Sequence, residues 1–186
     1  MSRHCHGAGG VNRSTVGIGQ TPPMEIVRTH TFDHPIESCW EMVHDPESHI
    51  AKFEGMGHRD LQVISVERTD TSLRLVVDRL VDVDVPGFAK KVIKPTNKLR
   101  STDEWRDNGD GTYSGTYELD TIGVPIQVGG TTSLVSEGGG TIYQIVTELK
   151  VNVPIIGGRI ASYSKGVVER QLDEEFRLGD AWLDSH

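Results

Sequence analysis

The chain has 186 residues, 35% of them hydrophobic and 25% charged, with a formal net charge of −8. Such a length buries roughly 70% of the unfolded surface in one core, so no second domain is required. The acidic balance, without a basic stripe interleaved with aromatics, excludes nucleic acid as a partner, and no apolar run approaches the roughly 20 residues needed for stable membrane insertion.

Residues 1–23 contain no Asp or Glu, are rich in Gly, Ser and Thr, and carry no apolar period, which predicts a disordered tail ahead of one domain at 24–186. The tail lacks the apolar stretch of about 7 to 15 residues that a secretory signal needs. Met24 is a candidate translation start. Cys5 lies in the tail and Cys39 beside Trp40 in a predicted helix, so no disulfide framework is expected and a reducing cytoplasm fits.

Met24 to Phe32 alternates as a strand. Asp33, Pro35 and Glu37 then mark a helix start leading into Ile36, Cys39, Trp40 and Val43. Asp45-Pro46 interrupts it, and Ile50 and Phe53 make a second helical turn that Gly55 and Gly57 end. Leu61 to Glu67 is the next strand; Leu73, Leu75, Val77, Arg79, Val81 and Val83 share one face of another, and Leu99, Ser101, Asp103 and Trp105 one face of a third. Asp107 to Gly111 turns the chain into Tyr113, Gly115, Tyr117 and Leu119. Ile126, Val128, Gly130, Thr132 and Leu134 follow, and Gly138 to Gly140 leads to Tyr143, Ile145, Thr147, Leu149 and Val151. At Pro154 the period changes from sheet to helix, with Ile156, Ile160, Tyr163, Val167, Leu172, Phe176 and Leu178 on one stripe. One long helix must bury that stripe against one face of an antiparallel sheet. The implied architecture is α+β, with a cavity gripped between sheet and helix.

This order resembles the START-like superfamily, also called SRPBCC or helix-grip proteins, across residues 24–184. The junction Val151-Asn152-Val153-Pro154-Ile155-Ile156-Gly157-Gly158-Arg159-Ile160, the Val85 to Phe88 loop and the Thr102 to Trp105 strand look like a mainly actinobacterial branch of unknown function. The resemblance implies a curved antiparallel sheet of about seven strands around a C-terminal helix, on a scaffold that hosts both binding and catalysis.

Several motifs reduce to plainer readings. Ser162-Tyr163-Ser164-Lys165 has the spacing of a lysine-activated serine, but its companion triplets are missing, so a solvated helix face is expected. The eight histidines lack the spacing of a zinc site, and no metal or cofactor is expected. Asp78, Asp82 and Asp84 share the face opposite the apolar row, which reads as a solvated outer face rather than a calcium site.

Inward polar residues and glycines are more informative. With Asn108-Gly109 at the centre of its hairpin, Trp105 falls opposite Tyr113, Asp103 opposite Gly115, Gly115 near Gly130, and Gly130 near Thr147. The glycines would coil the sheet and open space. Arg79 and Asp103 interrupt inward apolar rows at one expected depth, where they pair or meet a ligand group. Tyr113, Tyr117, Tyr143 and Tyr163 offer amphipathic tips, and Gly157-Gly158 predicts a close approach of the helix. The expected ligand-binding set is therefore Arg79, Asp103, Trp105, Tyr113, Gly115, Tyr117, Gly130, Tyr143, Thr147, Ile160, Tyr163 and Val167. The expected function is binding of a small apolar molecule such as a lipid, polyketide-like or isoprenoid metabolite. A cyclase, dehydratase or hydrolase using the same cavity is the first alternative, and an interaction module with a filled cavity, such as a homodimer, the second.

Overall fold

Period-two alternation from Met24 onward produces a seven-stranded antiparallel sheet in the computed structural model, which describes residues 23–186. The expected tail, except Pro23, lies outside the described residues. The strands are β1 (Met24–Phe32), β2 (Arg59–Thr69), β3 (Ser72–Asp82), β4 (Thr96–Asp107), β5 (Tyr113–Thr121), β6 (Ile126–Glu137) and β7 (Gly140–Val151), ordered β1-β7-β6-β5-β4-β3-β2. Helices α1 (Ile36–His44) and α2 (Pro46–Gly55) follow β1, and α3 (Gly157–Leu183) closes the chain. Pro46 holds Asp45 in extended backbone, ending α1, and the Asp45 carboxylate accepts from Glu47 N at 3.0 Å, capping α2.

The apolar residues collect in two clusters. Phe32, Cys39, Phe53, Leu73, Tyr143 and Phe176 belong to one, beneath α1, α2 and the C-terminal half of α3. Val85, Ala89, Ile93, Ile126, Leu149 and Ile160 belong to the other, where α3 begins. The middle of the sheet, where β3, β4 and β5 carry inward polar side chains, lies between them.

Three register expectations change. Asp107 pairs with Tyr113, so the β4–β5 connection has five residues: Asp107 accepts from Gly109 N at 2.7 Å, and Gly109 and Gly111 take φ of 76° and 83°. Trp105 therefore faces Gly115, and Asp103 faces Tyr117. A shift of two leaves every side chain on its expected face. Gly130 pairs with Thr147 as expected, but Gly115 pairs with Thr132. On β3, Arg79 lies opposite Leu99 while Asp103 lies opposite Leu75, so the two charges sit at different depths.

Two further expectations fail. Asp78 is 2% exposed rather than solvated, because Arg100 and Lys98 of β4 cover its carboxylate at 2.6 and 2.9 Å. A Cβ on Gly158 would meet nothing within 4 Å. The close approaches are at Gly55, where a Cβ would lie 2.7 Å from Leu178 Cδ2, and at Gly179, 2.9 Å from Phe32 Cζ.

Candidate ligand cavity

Successive rows across the concave face build the cavity floor. One row carries Leu75, Asp103, Tyr117, Gly130, Thr147 and Ile26 on neighbouring strands. The row beside it carries Val77, Ser101, Leu119, Val128 and Leu149. Helix α3 supplies the roof with Val168, Gln171, Leu172 and Glu175, and α2 with the residues after it closes a side with Lys52, Phe53, Met56 and His58.

The space is divided. A central compartment of about 100 Å³ contains Arg79, Asp103 and Tyr117. A second, of about 220 Å³, lies toward Phe32, His49 and Trp182 and shares the Lys52, Trp105, Tyr143 and Glu175 wall with the first. A third, of about 90 Å³, lies toward the start of α3 and shares Leu99, Leu119, Val128, Val168 and Gln171. None alone reaches the roughly 300 Å³ of an ordinary small-molecule site, and because neighbouring compartments share walls, an elongated molecule spanning them matches the space better than a compact one.

The central polar groups are arranged around one buried cation, Arg79, and one partly buried cation, Lys52. The Arg79 guanidinium is 5% exposed and stacks 3.8 Å from the centre of the Phe53 ring. Its Nε donates to His58 Nδ1 at 3.1 Å and its Nη1 to Ser101 Oγ at 2.7 Å. Burial lowers its pKa to about 10, against the opposing pull of Asp103 and Glu175, so it stays charged at neutral pH. His58 is held neutral, its pKa pushed down to about 4 by burial and then by Arg79 and Lys52. Lys52 Nζ meets Glu175 Oε1 at 3.0 Å, and the Tyr143 hydroxyl donates to the same oxygen at 3.2 Å.

Asp103 and Thr132 are the unsatisfied members, Thr132 through its buried Oγ1 and Asp103 through a carboxylate oxygen. The Asp103 Oδ2 is buried and has no hydrogen-bond partner among the described residues, and the expected ion pair with Arg79 does not form because their strand positions are four residues apart. A buried acceptor in that state is costly until a donor reaches it. His49 repeats the pattern in the second compartment. Its Nε2 donates to Val43 O at 2.9 Å, leaving Nδ1 a buried acceptor without a partner. Burial drives the Tyr117 pKa up to about 12 and that of Tyr143 well above its ordinary value, so both phenols stay protonated.

Of the expected residues, Arg79, Asp103, Trp105, Tyr117 and Tyr143 line the central compartment, and Tyr163 and Val167 the third. Thr147 lies behind Tyr117, whose hydroxyl is 2.5 Å from its Oγ1. Tyr113 instead stacks on Trp40 at 4.4 Å, and Ile160 is buried in the cluster at the start of α3. Gly115 opens no space: a Cβ there would lie 2.9 Å from the Trp105 indole and 2.6 Å from Thr132 Oγ1. Gly130 brings backbones together, since a Cβ there would collide with Val146 O. Sequence reasoning missed Lys52, His58, Gln171 and Glu175. Glu175 was findable, because it falls between Leu172 and Phe176 on the helix's apolar stripe. Ser162 and Lys165 behave as ordinary helix-surface groups, Ser162 bonding Gly158 O and Lys165 facing Glu169.

A family model described as protein of unknown function (DUF2505) matches residues 28–183. None of the curated proteins matches the chain. Among solved structures, the Zhui aromatase/cyclase from Streptomyces sp. R1128 superposes with a TM-score of 0.62 at 14% identity, covering 87% of this chain and 94% of its own. A Thermus thermophilus protein, TTHA0849, gives 0.61 at 14% identity, covering 87% and 98%. Norcoclaurine synthase from Thalictrum flavum, solved with dopamine and hydroxybenzaldehyde, gives 0.54 at 14% identity, covering 100% and 98%. At these identities the likeness is one of fold, the helix-grip arrangement of a curved antiparallel sheet around a long C-terminal helix.

Proposed function

The chain belongs to the DUF2505 family, and we propose that it binds an elongated, largely apolar small molecule, with a donor group of that ligand held at Asp103. The observation that carries this reading is the buried, partnerless Asp103 Oδ2, in the same compartment as the Arg79 cation. A ligand hydroxyl or amide N–H would satisfy it, and an anionic or carbonyl oxygen would find the Arg79 guanidinium nearby. The His49 Nδ1 acceptor favours a second hydroxyl at the far end of the same ligand. Fold neighbours whose names state an aromatase/cyclase or a complex with small aromatic molecules support the use of this scaffold for such ligands.

The test is native mass spectrometry, with organic extraction, of the full chain purified from its own host. A co-purifying apolar molecule that is lost in Asp103→Leu supports the reading. An empty wild-type protein that also fails to take up apolar dyes with any change in Trp105 emission overturns it. A catalytic use of the cavity is the second reading, because Asp103 and Glu175 place two carboxylates beside protonated tyrosines in one cavity. Turnover of the extracted molecule, abolished in Asp103→Asn with the fold intact, would select it.

A further inference from the structure

We infer that the end of the sheet where α3 begins is a docking face for an anionic lipid surface. This does not depend on what the cavity holds. The end of β3, the start of β4, the β5–β6 turn and the end of β7 all lie there, because neighbouring strands run antiparallel. Three connections, 83–95, 122–125 and 152–156, are knit into one face. Val83 N donates to Pro95 O at 2.8 Å, Ile122 N to Lys98 O at 2.9 Å, and Asn152 N to Pro125 O at 2.9 Å. The Tyr163 hydroxyl ties the first of them to α3 by donating to Asp84 O.

Two isoleucines project from this face. Ile155 is 103% exposed and Ile122 53% exposed. Ile155 also has φ of 67°, a left-handed conformation that a β-branched residue adopts only under strain. The fold thus sustains an unfavourable backbone to hold an apolar side chain wholly in solvent, and observed strain of this kind points to use.

The charge on this face opposes that of the chain. Its connections and the first turn of α3 carry Lys90, Lys91, Lys94 and Arg159 against one carboxylate, Asp84, in a chain whose net charge is −8. The three lysines are exposed, none of the four makes an ion pair among the described residues, and the Arg159 guanidinium stacks 4.3 Å from the centre of the Phe88 ring. Exposed apolar side chains ringed by cations match the boundary between anionic headgroups and acyl chains.

Other occupants fit less well. A second copy would bring cationic faces together, and residues 1–23 carry Arg3 and Arg13 with no carboxylate to draw them here. Ile155 has no protein wall around it, so it is a prong for a fluid interface rather than the floor of a groove for a peptide. No helix among the described residues is long and apolar enough to cross a membrane, and the mode inferred here is docking on the surface. Val83, Ile93 and Val124 of these connections also wall the third compartment, so a docked chain would turn that end of the cavity toward lipid.

The experiment is co-sedimentation of the full chain with vesicles of phosphatidylcholine alone and of phosphatidylcholine mixed with phosphatidylglycerol, at low and at physiological salt. Binding is expected only to the mixed vesicles, weakening with salt. Lys90→Gln and Lys91→Gln should each lower the partition coefficient about five-fold, and Ile155→Asp about ten-fold. Ile155→Gly relieves the backbone and should therefore raise the melting temperature while losing binding, which keeps the test decisive if the aspartate variant unfolds. Val63→Asp, on the exposed edge strand β2, should bind as wild type. Wild-type protein left in the supernatant, equal binding to neutral vesicles, undiminished binding by the Ile155 and lysine variants, or a dimer that Ile155→Asp dissociates would each overturn the proposal.

Discussion

The Tyr117 hydroxyl on β5 lies 2.5 Å from the Thr147 hydroxyl on β7, reaching across β6 over the missing side chain of Gly130. That contact requires glycine at 130, where a Cβ would collide with Val146 O. Gly130→Ala should therefore force the strands apart and cost roughly 1 to 3 kcal/mol, read as a lower midpoint in urea. It should also release Tyr117 into the cavity. Wild-type stability in this variant would mean that the backbone is less closely packed here than described.

Two glycines of α3 should respond in opposite ways. A Cβ on Gly158 meets open space, so Gly158→Ala removes backbone freedom from the unfolded chain and should stabilise by up to about 1 kcal/mol. Gly179 lies against Phe32, which is 0% exposed, and a Cβ there would be 2.9 Å from the ring, so Gly179→Ala should destabilise. Thermal melts of the two variants decide this, and shifts of the same sign would contradict it.

Those glycines also mark where sequence reasoning reaches its end. The alternation from Tyr143 to Val151 and the helical stripe after Pro154 were legible, because periods of 2 and 3.6 are properties of residue order alone. The facing of Arg79 and Asp103 was legible for the same reason. Their depth was not, because the residues between Asp82 and Thr96 form a connection whose closure sets the β3–β4 register, and nothing in its residues encodes that length of slip. Lys52 and Glu175 escaped for a different reason. Charged side chains on helices normally point to water, and only the packed fold turns this pair, each about a fifth exposed, toward the sheet.

His58 gives the cavity a pH dependence. Burial first, then Arg79 and Lys52, hold its pKa at about 4, below the ordinary 6.5 that the unfolded chain restores. The unfolded state thus takes up the proton first as pH falls. Stability present above pH 6.5 should decline progressively toward pH 4, and His49, whose pKa burial also lowers, acts in the same direction. In His58→Gln the decline in melting temperature over that window should be shallower, and an identical profile in the variant would remove His58 as its cause.

Arg79 and Asp103 provide the sharpest prediction, because a direct ion pair and the observed arrangement differ in outcome. Were the two paired, deleting either would strand the other and cost roughly 3 to 5 kcal/mol. Arg79 is instead satisfied by His58, Ser101 and the Phe53 ring, whereas Asp103 Oδ2 has no partner. Arg79→Met leaves two neutral polar groups unpaired and should cost about 1 to 3 kcal/mol. Asp103→Leu removes an unsatisfied buried acceptor but also a carboxylate that favours the Arg79 charge, so it should stay within about 1 kcal/mol of neutral, as expected where a site is built for binding rather than stability. Urea denaturation of both single variants separates the cases: equal, large losses would restore the direct pair, while the asymmetry would mark Asp103 as the group that the fold leaves open for a ligand.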